Sequence, residues 1–204
     1  ILGGIMRSIT VFIMMFAGLL ASCSSQRAFT KGEYTDPDKV ILLDDKYNES
    51  DMKIMADALV DSLLKHPIIS SAKKIPVFQV ENVSNSTSEH IDMQSLTDKI
   101  RTALIKSGKV QFHDKLQRGT LSKEYEYQTQ SGNVTKETAK AKGYQIGSDY
   151  MLSGDFSSNV QEVGAKKVIY YKLTLNATDI KTGLIVWTDD KEIKKLYKKR
   201  SYAM

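Results

Sequence analysis

The chain reads as one α/β domain of the α+β kind, a small mixed β-sheet flanked by helices. Three observations predict it. Apolar residues recur at helical spacing in two stretches, Met52, Met55, Ala56, Leu59, Leu63 and Leu96, Ile100, Ala103, Leu104. Short β-rich runs alternate with them, as in Ile75-Pro76-Val77-Phe78-Gln79-Val80. The last third holds three longer β-rich runs separated by turn residues, the pattern of an antiparallel meander. About 150 residues suffice for one domain with a real core.

Each element has a local cause. Asn48 or Ser50 caps the first helix, which ends near His66-Pro67 because the residue before a proline avoids helical angles. A strand over 75–80 follows, with Pro76 at its start, where no ladder donor is needed. A polar loop over 82–90 leads to Asp92, the cap of the second helix, and Ser107-Gly108 stops that helix. Lys109-Val110-Gln111-Phe112 is a short strand. Polar helices are expected over 116–128 and 135–144, around the turn Ser131-Gly132-Asn133. The final strands span 150–160, 167–179 and 184–193, with Gly164 and Lys181-Thr182-Gly183 at the turns. In the middle strand Tyr171, Leu173, Leu175 and Ala177 alternate toward the core.

Residues 1–22 have the layout of a secretory signal: Arg7, an apolar run over 9–20, then Ala21 and Ser22 before Cys23, the single cysteine. Met6-Arg7-Ser8 is the expected start of that signal, with residues 1–5 ahead of it. The run is too short to favour a permanent span. Leu20-Ala21-Ser22-Cys23 also resembles a bacterial lipobox, which implies that Cys23 is lipidated and heads an anchored protein. Residues 23–48 then form a tether, polar except for Val40-Ile41-Leu42-Leu43, a patch expected to dock on the folded domain of residues 49–200. About 25 flexible residues have a root-mean-square span of ~25–30 Å. With no cysteine beyond Cys23, the domain uses neither disulfides nor a cysteine–metal site.

The net charge of +5 and pI near 9.1 suggest nucleic acid at first sight, but the charge is local. Lys191, Lys194, Lys195, Lys198, Lys199 and Arg200 face only Glu192 in one stretch, and the rest of the chain is neutral. No nucleic-acid partner is therefore expected. A basic tail on an exported protein suits acidic lipid, an acidic polymer or an acidic partner, or is a solvated, frayed end.

Ser70-Ser71-Ala72-Lys73, Ser148-Asp149 and Lys181-Thr182-Gly183 match, in order, the S-x-x-K, S-D-N and K-T-G elements of penicillin-binding serine enzymes. The reading as an active site is rejected. Ser70 to Lys74 is a polar connection running into Ile75-Pro76, Tyr150 stands where the asparagine belongs, and Lys181-Thr182-Gly183 is a sufficient hairpin turn. His66, His90 and His113 lack ligand spacing, no phosphate-binding glycine motif exists, and Asp189-Asp190 lies beside lysines at a strand end. No catalytic, metal or cofactor residue is expected. Tyr125 and Tyr127 at polar positions suit an interface. The guessed partner contacts are Tyr127, Gln128 and Asn133 near one turn, with Gln161, Glu162 and Lys166 at a hairpin tip.

Longer segments carry a resemblance. Asn85-Ser86-Thr87-Ser88-Glu89-His90-Ile91-Asp92, Leu96-Thr97-Asp98-Lys99-Ile100-Arg101-Thr102-Ala103-Leu104, Gly147-Ser148-Asp149-Tyr150-Met151-Leu152-Ser153-Gly154 and Asp179-Ile180-Lys181-Thr182-Gly183-Leu184-Ile185-Val186-Trp187 are similar to the LpoB family of penicillin-binding-protein activators. The resemblance covers residues 48–195. It implies a fold like the N-terminal domain of TolB and a monomeric, non-enzymatic lipoprotein on the periplasmic face of the outer membrane. It also implies docking on a bifunctional class A penicillin-binding protein, which stimulates peptidoglycan synthesis. Ser24 after the cysteine, rather than aspartate, implies outer-membrane sorting. One departure stands out: family members carry longer, proline-rich tethers, whereas this one holds only Pro37. The alternative is a structural TolB-like lipoprotein of a secretion or flagellar assembly, although no long amphipathic hairpin is present.

Overall fold

A computed structural model of the chain describes residues 32–199. Cys23 and the apolar run before it lie outside the described residues, as do residues 200–204. The chain divides into two compact units, residues 1–39 and residues 40–204. In the first, the Asp36 carbonyl and carboxylate close a turn onto the Lys39 and Asp38 amides. The second contains every helix and strand described below.

Helix α1 (Glu49–Lys65) starts at Asn48, whose side chain accepts from the Ser50 and Asp51 amides while Asp51 accepts from the Asn48 amide. This reciprocal box satisfies donors that the first turn would otherwise leave unpaired. Met55, Ala56, Leu59, Val60 and Leu63 form its buried stripe. The helix stops at His66, and Pro67 opens a single further turn, α2 (Pro67–Ser70). Strand β1 (Val77–Asn85) runs longer than expected, through a segment the sequence assigns to the polar loop. After an irregularity between Val80 and Val83 it resumes pairing with β3, burying Val83 while the Ser84 hydroxyl bonds Asp155 at 2.6 Å. Polar side chains mark the solvent side of a strand here rather than a loop.

Helix α3 (Met93–Lys106) is capped by Asp92 and buries Leu96, Ile100 and Leu104. Strand β2 (Gln111–Phe112) and helix α4 (Arg118–Gln130) follow. The helix expected over 135–144 does not form. That segment makes only turns, closed by Thr135 and Thr138, because it has no apolar stripe to bury. Strands β3 (Tyr150–Val163), β4 (Lys166–Asp179) and β5 (Ile185–Lys198) complete the chain. The basic stretch is thus not a frayed tail up to Lys198: it is the second half of β5, paired residue by residue with β4.

The sheet order is β2-β1-β3-β4-β5, parallel from β2 to β3 and antiparallel from β3 to β5, so the expected mixed α/β class is the one observed. Helix α1 packs on β5 and α3, and α3 packs on β1, so the two long helices cover one face. In β4 the residues Ile169, Tyr171, Leu173, Leu175 and Ala177 are buried toward them and their neighbours are only half-buried. The register extends this alternation across the meander. Leu152, Phe156 and Ile193 share the helix-covered face, and Ser153, Asp155, Asn159, Tyr170, Lys172 and Lys194 the other.

Gly154 marks a close approach. A β-carbon there would lie 2.4 Å from the Thr174 carbonyl oxygen and 2.7 Å from a Leu175 methyl. Backbone on one side and a core residue on the other leave little room to yield. Gly154→Ala is therefore expected to cost roughly 1–3 kcal/mol by overpacking. Urea denaturation checks this, and Ser153→Ala, on the opposite face, should leave the midpoint within about 0.5 kcal/mol of the parent.

Candidate interaction surface

Between β2 and β3 the chain leaves the core. From residue 114 to 149 every residue is exposed or half-buried, including all of α4. The excursion starts because Asp114 accepts from the Leu116 and Gln117 amides, turning the chain into α4. It is held by surface contacts: Lys115 to Glu81 at 2.7 Å, Arg118 to Gln79 at 3.1 Å and Lys142 to Glu126 at 2.8 Å. Exposed pairs of this kind contribute little each. Behind the arm runs a groove of about 480 Å³, lined by Ile105, Val110, Phe112, Leu121, Tyr125 and Ile146 among others. Ile105, Leu121 and Ile146 remain exposed along it. The arm thus presents apolar and aromatic side chains on an element that adds almost nothing to the core.

Of the guessed contacts, Tyr127, Gln128 and Asn133 come together on this arm. Asn133 donates to the Tyr127 hydroxyl at 3.3 Å, and the Lys140 amide donates to Gln128 at 2.7 Å. Gln161, Glu162 and Lys166 form a second group around the β3–β4 turn, where Glu162 pairs with Lys167 at 3.3 Å. The two groups are far apart. The groove reaches Val77 at the start of β1, level with the start of β3, whereas the turn follows the end of β3. Fourteen residues of strand separate those ends, about 43 Å at ~3.3 Å per residue.

Several of the residues that match the serine-enzyme motifs have structural duties. Ser70 ends α2 and Lys73 is exposed. Asp149 accepts from the Val77 amide at 2.9 Å and its own amide donates back to Val77 at 2.7 Å, joining β1 to the start of β3. Asp179 accepts from the Thr182 amide and hydroxyl, closing the β4–β5 turn, and these bonds hold its carboxyl below the usual carboxylate range. His66 caps α2, His113 bonds the Ile146 carbonyl, and His90 is exposed. Among the described residues no group of histidines, cysteines and carboxylates could hold a metal ion, and no helix is long and apolar enough to cross a membrane.

Sequence reasoning missed one cluster entirely. Lys195, in the middle of the basic stretch, is buried: its ammonium lies 2.6 Å from Asp51 and donates to the Lys46 carbonyl at 2.6 Å. It also sits 5.6 Å above the ring of Tyr171, whose hydroxyl donates to Glu89. Glu89 in turn accepts from the Tyr47 amide at 3.0 Å. The Tyr47 ring meets Phe156 and Tyr171 edge-on at 5.0 and 5.7 Å. The cluster therefore straps residues 44–47 onto the fold, with help from Lys167 to Asp45 at 2.6 Å and the Tyr197 hydroxyl to the Asp44 carbonyl at 2.6 Å. Most of the apolar patch expected to dock does not do so: Val40, Leu42 and Leu43 stay exposed and only Ile41 is half-buried. Polar neighbours anchor the chain instead.

This cluster adds to the alkaline sensitivity of the fold. Burial, and then the Glu89 carboxylate, pushes the Tyr171 phenol far up; burial, and then the charge of Asp51, does the same to Tyr47. In the unfolded chain both ionise near pH 10. A raised folded-state value means stability is fully present below about pH 10 and is lost as the pH rises above it. The melting temperature is expected to be flat from pH 8 to 10 and to fall beyond. Tyr47→Phe with Tyr171→Phe should flatten that fall, and an unchanged alkaline slope would contradict the account.

The family model described as "Peptidoglycan-synthase activator LpoB" matches residues 51–193. Among solved structures, the chain is similar to the LpoB C-terminal domain from Salmonella enterica, at 19% identity over 71% of this chain and 99% of that one, with a TM-score of 0.46. The same domain from Escherichia coli gives 17% identity, the same coverages and a TM-score of 0.44. A PelC dodecamer from Paraburkholderia phytofirmans gives 17% identity over 64% of this chain and 78% of that one, with a TM-score of 0.30. No curated protein matches the chain in sequence.

Proposed function

The chain belongs to the LpoB family of peptidoglycan-synthase activators, and from that premise we propose that it binds and activates a bifunctional class A penicillin-binding protein. In this reading it is a non-enzymatic, monomeric lipoprotein, held by a lipid on Cys23 at the periplasmic face of the outer membrane. The family match over residues 51–193, nearly the whole folded unit, carries the reading. Activation needs no chemistry from this chain. A synthase with two states is shifted toward the state that the activator binds better, and a difference of ~1–3 kcal/mol changes populations several-fold to a hundredfold.

The arm is the proposed contact. A standard interface covers about 800 Å² per partner, a patch roughly 30 Å across, so one regulatory domain does not span both guessed groups. Tyr127, Gln128 and Asn133 belong to the same arm whose Leu121 and Tyr125 line the exposed groove, whereas Gln161, Glu162 and Lys166 lie at the β3–β4 turn. Glycan-strand synthesis by the purified synthase, with and without residues 24–204, tests the function. Several-fold stimulation that saturates is expected, with Leu121→Ser plus Tyr127→Ala weakening it about tenfold. No stimulation at a concentration where binding is saturated would sink the activator reading.

A further inference from the structure

The face of the meander not covered by helices changes character along its length. Near the β4–β5 turn it is polar and carries Asp155 and Asp190 in the same cross-strand row as Thr174. At the other end three successive rows read Asn159–Tyr170–Lys194, Gln161–Val168–Leu196 and Val163–Lys166–Lys198. These rows hold three lysines, three aliphatic side chains and no acid. Val163 is 79% exposed and Leu196 60%. Glu162 points to the opposite face, where it meets Lys167. Glu192 is one row further in and is occupied by the Tyr170 hydroxyl at 2.5 Å. Lysines alone would be expected on β5, an edge strand that charge protects from pairing with other chains. That need explains neither the exposed aliphatic residues among them nor Lys166, which lies on the inner strand β4.

We infer that this end of the sheet docks on an anionic lipid surface, its aliphatic side chains seated at the headgroup level and its lysines among the headgroups. Lysines suit that position because their stems lie along apolar surface while the ammonium reaches the charge. The path of the chain supports the same occupant. Residues 44–47 are strapped to the fold at this end, through Lys167 of β4 and Tyr197 of β5. Twenty residues separate Cys23 from Asp44, a chain that extends to about 70 Å at most. A membrane that holds the N-terminal segment is therefore within reach of this end of the domain. The arm follows β2 and leads into the start of β3, the far end of that strand from this patch. The inference rests on the proposed lipid anchor at Cys23 but not on the identity of the synthase.

Vesicle flotation with residues 24–204, which retain the whole compact unit, tests it. Vesicles of phosphatidylglycerol and phosphatidylethanolamine are expected to carry the protein upward at about 0.1 M salt, and vesicles of phosphatidylcholine are not. Lys166→Glu, Lys194→Glu and Lys198→Glu together should weaken partitioning at least about tenfold, and Val163→Ser with Leu196→Ser should lower it at fixed charge. The three lysines changed to Gln serve if the Glu variant melts early. Lys65→Glu, Lys73→Glu and Lys74→Glu change the net charge equally and should retain binding. Equal loss in that control, or no flotation of the parent, overturns the inference. So does a patch variant that floats normally but no longer stimulates the synthase, which would give the surface to an acidic protein.

Discussion

Lys195→Met is expected to destabilise the domain by about 3–5 kcal/mol, the cost of leaving a buried partner charge uncompensated. Asp51 is 4% exposed at its side chain and has two ties, the Lys195 ammonium at 2.6 Å and the Asn48 amide at 3.1 Å. Removing the ammonium leaves a carboxylate in the core with one neutral donor. The same change frees the Lys46 carbonyl, to which Lys195 donates. For a domain of this size the melting temperature should fall by on the order of 10 °C. Lys194→Met is the matched control. It removes the same charge one residue earlier, from a side chain on the solvent face, and should move stability by no more than about 0.5 kcal/mol. Similar losses in the two variants would mean that the basic stretch acts through its summed charge and not through one buried pair. Replacing both partners, as Asp51→Leu with Lys195→Met, should recover part of the loss, though not all of it, because Asp51 also closes the cap of α1.

That contrast shows where sequence reasoning was blind. Periodicity found α1, α3 and the three long strands because each buries one face against a single core, and the buried face leaves a regular trace. It also placed Asn48 and Asp92 as caps, since capping is a matter of three or four adjacent residues. Lys195 left no such trace: it is one of four lysines in β5 and its burial depends on Asp51, far away in sequence, and on the returning segment 44–47. The same holds for Ser84 and Asn85, whose polar side chains imitate a loop while their backbone pairs with β3. The arm was misjudged in the other direction. Its residues 135–144 have helix-forming composition in places, but composition without a surface to pack on gives turns. Of the candidate contacts, the sequence offered exposure and polarity only, which could not tell that Tyr127 stands on a helix of the arm and Lys166 at a hairpin tip of the sheet.

Phe156→Ala should cost a comparable 3–5 kcal/mol, and its effect should reach the chain that precedes the fold. The Phe156 ring is fully buried, parallel to Tyr171 at 5.7 Å and edge-on to Tyr47 at 5.0 Å. Truncation opens a cavity between a strand of the core and the residue that seats the strap. The strand side cannot close it, because β3 is fixed on both edges by β1 and β4. Tyr47 can, but only by leaving Tyr171 and drawing its amide away from Glu89. Hydrogen exchange distinguishes this from uniform softening. At the Tyr47 amide, exchange in Phe156→Ala is expected to accelerate by more than the global loss accounts for, while the amide of Leu173 on β4 tracks the global value. Phe156→Leu, which keeps most of the volume, should cost less than half as much and leave the strap closed. The strap fixes residues 44–47 to the domain, so loosening it frees four residues without touching the arm. Stimulation of the synthase by the soluble domain should then survive in Phe156→Ala at temperatures where it is folded. A proportional loss of stimulation would instead place residues 44–47, and not only the arm, in contact with the partner.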